Sequence, residues 1–116
     1  KIKNITLLQC NTEYPTKFED INLNVLKTFK KKYKIDVGLS DHSNSTVIPA
    51  AAVAMGAKII EKHITLNKKM SGPDHKASLE PQEFRLMIQN INEVLKALGS
   101  NKKKVTSSEK KKYIYC

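Results

Sequence analysis

Val37-Gly38-Leu39-Ser40-Asp41-His42 and Ile59-Ile60-Glu61-Lys62-His63 are two short apolar runs, each ending in a histidine. Between them stands Pro49-Ala50-Ala51-Ala52-Val53-Ala54-Met55-Gly56, rich in alanine and closing on glycine. Short apolar runs bounded by turn residues suit buried strands, and the alanine-rich segment suits a helix with Gly56 as its stop. Two strands joined by a crossover helix lie parallel, with a right-handed connection. Such a unit brings both strand ends to one rim of the sheet, so His42 and His63 are expected side by side. In α/β folds that rim is where ligands bind.

The same grammar extends both ways. Upstream, Ile5-Thr6-Leu7-Leu8 reads as a buried strand running to Cys10, followed by a loop around Pro15. Residues 18–32 read as one helix, because Phe18, Ile21, Val25 and Phe29 recur at helical spacing, with acidic residues early and lysines late. Ser45 or Thr46 is the expected N-cap of the alanine-rich helix, with Pro49 in its first turn. Downstream, residues 66–79 read as a loop centred on Gly72-Pro73. Pro81 opens a last helix whose stripe is Phe84, Met87, Ile88, Ile91, Leu95 and Leu98, ending at Gly99. From Ser100 the chain is polar and lysine-rich and is expected to be disordered.

The expected order is therefore strand, helix, three times over: an α/β fold with parallel strands and outer helices. A closed barrel of eight such units needs roughly 200 residues or more, against 116 here. Three strands alone leave two open edges and one sheet face without a covering layer. The choice is between a small open sheet and a segment of a larger barrel, and the bare edges favour the segment.

The formal net charge is +10, nearly all from lysine, with Arg85 the single arginine. The lysines cluster at 30–32, 68–69, 102–104 and 110–112, as solvated helix ends and tails do. With no Trp, 3 Phe and 4 Tyr, the chain lacks the aromatic and arginine interleaving of nucleic-acid modules. Cys10 and Cys116 form neither a metal-ligand pair nor a disulfide framework, which favours a reducing cytoplasm. No signal peptide opens the sequence and no apolar run is long enough for a bilayer, so a cytoplasmic protein without membrane or nucleic-acid partners is expected.

Several residues on the rim carry chemistry. Imidazoles are common ligands of transition metals, so His42 and His63 are candidates to share a divalent ion, against the alternative of two hydrogen-bonded rim residues. Two histidines leave open positions for water or substrate, as in a catalytic rather than a structural site. Alternation along the strand puts Glu61 on the same face as His63 and Lys62 toward the helices. Glu61 is then either an orienting group or base, or one partner of a buried ion pair. Ser40 and Thr12 lie at strand ends, where hydroxyls receive a phosphate or cap a turn. Tyr14-Pro15 and Gly72-Pro73-Asp74 open onto the same rim, offering Asp74 to a polar substrate or forming an ordinary turn. Cys10 has no visible activating base and reads as a small buried residue.

Taken together, residues 10–15, Gly38-Leu39-Ser40-Asp41-His42, residues 51–57, Ile60-Glu61-Lys62-His63 and the run from Gly72-Pro73-Asp74-His75-Lys76-Ala77-Ser78 to Pro81 resemble the N-acetylneuraminate (sialic acid) synthase family. Synthases of legionaminic and pseudaminic acid and a spore-coat polysaccharide relative share these motifs. The resemblance implies the last three βα units of a (β/α)8 TIM barrel in residues 1–99, followed by a tail, residues 100–116. It implies an enzyme condensing phosphoenolpyruvate with N-acetylmannosamine or a related amino sugar, releasing phosphate. It implies that His42 and His63 hold manganese or magnesium, that Ser40 and Thr12 contact phosphoenolpyruvate, and that Tyr14 and Asp74 contact the amino sugar. Glu61 is carried as the catalytic candidate. Thr12 departs from the asparagine of some members, and Ser71 stands where proline is common. The family is usually dimeric, and its lysines and acidic groups from earlier strands have no counterpart here. The isolated segment is therefore expected to be inactive, and the alternative is a truncated non-catalytic remnant that folds only with a partner chain.

Overall fold

The computed structural model describes residues 4–112. Residues 1–3 and the last part of the tail, with Cys116, lie outside the described residues. The elements are β1 (Thr6–Cys10), α1 (Phe18–Ile21), α2 (Val25–Tyr33), β2 (Asp36–Asp41), α3 (Ile48–Ala54), β3 (Ile59–Lys62), a 3-10 turn at His75–Ala77, α4 (Pro81–Leu98) and α5 (Ser107–Lys112). The strands form one parallel sheet in the order β1-β2-β3. Cys10 stands opposite Ser40, Ser40 opposite Glu61, and Asp41 opposite Lys62.

This register divides the strand residues between two faces. Val37, Leu39 and Asp41 point to the helices and are buried, as are Leu26, Ile21, Ala52 and Ala57 packed against them. The fully buried Leu26 side chain alone is worth roughly 1.5–3 kcal/mol of apolar burial. The opposite face carries Leu8, Gly38, Ser40, Ile59 and Glu61 and is more open: Ile59 is 46% exposed. Gly38 is obligatory at its place, because a Cβ there would press on the Leu8 side chain and come 2.5 Å from the Ile59 carbonyl oxygen.

Two expectations are corrected. The single helix over residues 18–32 is two helices, because Asn22 takes left-handed angles (φ 52°, ψ 57°) and ends α1. Asparagine tolerates this conformation better than most residues, so the break falls where it costs least. The tail is not featureless, since α5 forms within it and Thr106 caps the turn through Glu109. The N-cap position of α3 is Val47, yet Ser45 Oγ accepts from the backbone N–H of Val47 and Ile48, so the serine still serves the helix start.

The last helix starts from a capping box: the Glu80 and Glu83 carboxylates each accept a backbone N–H of the other's residue. Its Met87 is buried, and Asn90 donates to the Thr46 carbonyl at 3.0 Å, fixing α4 beside α3. Before it, Leu79 pairs with Ile64, donating to the His63 carbonyl at 3.0 Å, while Thr65 donates to the Leu79 carbonyl at 2.9 Å. The long loop is thereby closed back against the end of β3. Among the described residues no helix is long and apolar enough to cross a membrane.

Candidate functional site

The three strands end at one rim, and the side chains there touch. The His42 and His63 ring centroids are 5.4 Å apart. Tyr14 packs on both rings, 4.9 Å from His42 edge-on and 4.5 Å from His63. It reaches them because its loop is tied to β2: the Thr16 N–H donates to the His42 carbonyl at 3.0 Å, and Thr16 Oγ1 closes the turn on the Glu13 carbonyl. The Tyr14–Pro15 peptide bond is cis.

On the same face, Ser40 Oγ donates to Glu61 Oε1 at 2.6 Å and lies 3.4 Å from His42 Nε2. Neighbouring strand positions in register explain this pairing. Glu61 is therefore held by a hydroxyl rather than by a cation, and the ion pair stands one residue further on, on the other face. There Lys62 Nζ meets Asp41 Oδ2 at 2.7 Å, with side chains 2% and 0% exposed. Burial pulls the Lys62 ammonium below its ordinary value, and the bond to Asp41 opposes that shift.

The loop after β3 brings Asp74 Oδ2 to 4.0 Å from His63 Nδ1. Gly72 at φ +142° shapes that loop, a conformation only glycine adopts easily. Ser78 is buried, donates to the Asp74 carbonyl at 2.7 Å and shares a 3.2 Å hydrogen bond with the Tyr14 hydroxyl. Burial pushes the Tyr14 phenol above its ordinary value. The Ser78 bond works against this, and the Asp74 and Asp41 carboxylates add to it. His75 turns away and meets Thr65 Oγ1 at 2.8 Å, a brace within the loop.

Of the residues singled out in the sequence, His42, His63, Ser40, Glu61, Tyr14 and Asp74 are thus gathered at one rim. Thr12 is exposed and makes no side-chain hydrogen bond among the described residues. Cys10 is exposed rather than buried, with Sγ 4.0 Å from His42 Nε2. Ser78 and Thr16 were not singled out for the site. Lone hydroxyls in loops carry no spacing signal, and only the closed loops reveal what they hold.

The His42 Nδ1 atom is buried without a partner in the protein. Among the described residues no group of three or more His, Cys, Asp or Glu converges in a way that could hold an ion. Two imidazoles close together, one with a free buried nitrogen, suit a partial ligand set completed from outside these residues.

The comparisons follow the same lines. A family model described as the NeuB family matches residues 1–103. The chain is 53% identical over 111 residues to the N,N'-diacetyllegionaminic acid synthase of Campylobacter jejuni, covering 96% of this chain and 33% of that protein. It is 43% identical over 107 residues to the human N-acetylneuraminate-9-phosphate synthase, covering 91% and 30%. The crystal structure of N-acetylneuraminic acid (sialic acid) synthetase from Leptospira borgpetersenii in complex with citrate superposes with a TM-score of 0.80 at 39% identity, covering 95% of this chain and 39% of that one. The chain spans about a third of the length of the curated relatives it matches. With matched sequence, shared parallel α/β architecture and one crowded rim, the chain belongs to the NeuB family.

Proposed function

We propose that this chain supplies the last three βα units of a (β/α)8 barrel in a sugar-acid synthase. That enzyme condenses phosphoenolpyruvate with N-acetylmannosamine or a related amino sugar and releases phosphate. What carries the reading is the pair of imidazoles at 5.4 Å with Tyr14 packed on both. Family membership and the printed names of the relatives support the reaction class. A cytoplasmic homodimer is part of the same proposal.

In this reading His42 and His63 hold one divalent cation, manganese or magnesium. The unpartnered His42 Nδ1 fits that use. Bound there, the ion supplies Lewis acidity toward a carbonyl oxygen. The chain's own residues do the rest. Ser40 turns its hydroxyl from Glu61 to a phosphate oxygen of phosphoenolpyruvate, and Thr12 offers a second hydroxyl from the end of β1. Tyr14 lays its ring against the sugar, and its hydroxyl, a phenol whose value burial only raises further, donates to a polar substituent. Asp74 accepts from sugar hydroxyls and stands beside His63. Glu61, relieved of Ser40, is a carboxylate at the reacting end, placed to accept a proton.

The test is manganese titration of the 116-residue chain followed by electron paramagnetic resonance. One site is expected, and His42→Ala and His63→Ala should each abolish it to the same extent. Loss in one variant alone would refute the shared ion. Phosphate release should appear when the remaining barrel units are supplied together with both substrates.

A second reading has its own support in the open sheet face, where Ile59 is 46% exposed. A non-catalytic chain that folds fully only against a partner chain would expose such a face. Strong amide protection across all three strands in the isolated chain would exclude it.

A further inference from the structure

We infer that the buried Asp41–Lys62 pair is a positioning device: it fixes, from behind the sheet, where His42 and His63 stand relative to each other. This rests on the reading that the two imidazoles work together in one site.

The argument starts from alternation. Asp41 lies between Ser40 and His42, and Lys62 between Glu61 and His63. Each charged residue points to the helices, and its neighbours point to the rim. Asp41 and Lys62 are direct partners in the β2–β3 register and meet at 2.7 Å with their side chains sealed from solvent. A slip of the two strands would leave both charges buried and apart, which is strongly destabilising. The pair therefore admits one register, the one that sets His42 beside His63.

Lys62 does more than bind a carboxylate. Its Nζ also donates to the Ser43 carbonyl, while Asp41 Oδ1 accepts the Ser43 N–H at 2.9 Å. Ser43 is fully buried. His42 thus sits in a three-residue turn gripped at both flanks, and the grip comes from the strand that carries His63. One side chain on β3 fixes the turn holding the first imidazole and precedes the second. A buried pair of this kind adds little net stability, since desolvation offsets attraction. Its consequence is geometric.

The test uses the Asp41→Asn/Lys62→Met double variant of the 116-residue chain. It leaves no unpaired charge, and the asparagine oxygen still accepts the Ser43 N–H. What is lost is the grip from β3, with the Ser43 carbonyl losing its Lys62 donor and the asparagine Nδ2 gaining no partner from β3. Three measurements are made on wild type and variant: the urea midpoint, nuclear Overhauser contacts from the Tyr14 ring to each imidazole, and manganese affinity. The urea midpoint is expected to fall modestly while the chain stays folded in water. The Tyr14–His42 contact should weaken while the Tyr14–His63 contact persists, and manganese affinity should fall about 10- to 100-fold, as when an outer partner of a metal ligand is removed. Unchanged contacts and affinity would overturn the inference. So would a double variant that unfolds, because the pair would then carry the fold itself. If wild type shows the ring contacts but binds no manganese, the shared ion fails and the positioning role is decided by the contacts alone. A wild type without those contacts overturns it.

Discussion

Replacing Gly38 with alanine should loosen the join between the two histidine-bearing strands. The added Cβ would stand 2.5 Å from the Ile59 carbonyl oxygen, where ordinary contact begins at 3.4 Å. The Leu8 methyl it also meets can rotate away, but the carbonyl belongs to the backbone of β3, so β3 must shift as a unit. Forced overpacking of this kind costs about 1–3 kcal/mol. Because Gly38 does not have a positive φ, alanine recovers some of the loss by restricting the unfolded chain, about 0.4–1 kcal/mol. The expected net destabilisation is about 1–2 kcal/mol, or roughly 0.5–1 M in urea midpoint for ordinary slopes. Urea unfolding followed by far-ultraviolet circular dichroism measures it. The Leu8→Ala/Gly38→Ala double variant separates the two clashes: it should recover no stability, since the carbonyl remains. A Gly38→Ala chain as stable as wild type would refute the reasoning, and recovery in the double variant would move the constraint to Leu8.

Two further outcomes are expected. The Lys68 ammonium bonded to Glu83 at 2.6 Å, with help from the Glu80 N–H, holds the Glu83 carboxyl below its ordinary value. A lowered folded value stabilises above the unfolded one, about 4.3, and that stability is lost as pH falls through the folded value. Glu83→Gln should therefore flatten the fall in melting temperature below about pH 5, by less than 1 kcal/mol because both side chains are roughly a third exposed, at 30% and 39%. Leu26→Ala, at the fully buried centre between α2 and the sheet, should cost about 2–5 kcal/mol in urea unfolding, and a loss under 1 kcal/mol would show that centre to be soft.

Much of the fold was legible because strand and helix periods differ so plainly. The apolar runs before His42 and His63 could hardly be helices, and the stripe from Phe84 to Leu98 could hardly be a strand. Pro81 and Gly99 bracketed that helix to the residue. The break at Asn22 was hidden because Phe18, Ile21, Val25 and Phe29 keep helical spacing across it. Both short helices serve the same core, so the apolar phase survives a left-handed residue. The site was legible where residues alternate along strands, which placed His42, His63, Ser40 and Glu61 on one face. The loops were harder. That the Tyr14 ring lies against both imidazoles depends on the Thr16 N–H and the Ser78 hydroxyl, which sit in loops far apart in sequence, and no local pattern encodes such a meeting. Alternation sent Lys62 toward the helices, but its buried partner on β2 followed only from the register.

The interleaving of Ser40-Asp41-His42 with Glu61-Lys62-His63 matters to anyone re-engineering this rim. Codons two apart address the reagent side, and the codon between them addresses the framework. A saturation library spread over all six positions would mix two experiments. Losses at Asp41 and Lys62, two of the six, would report a misplaced scaffold, and a recoded Lys62 would silence useful changes at His63 or Glu61. Randomising by parity keeps the two apart.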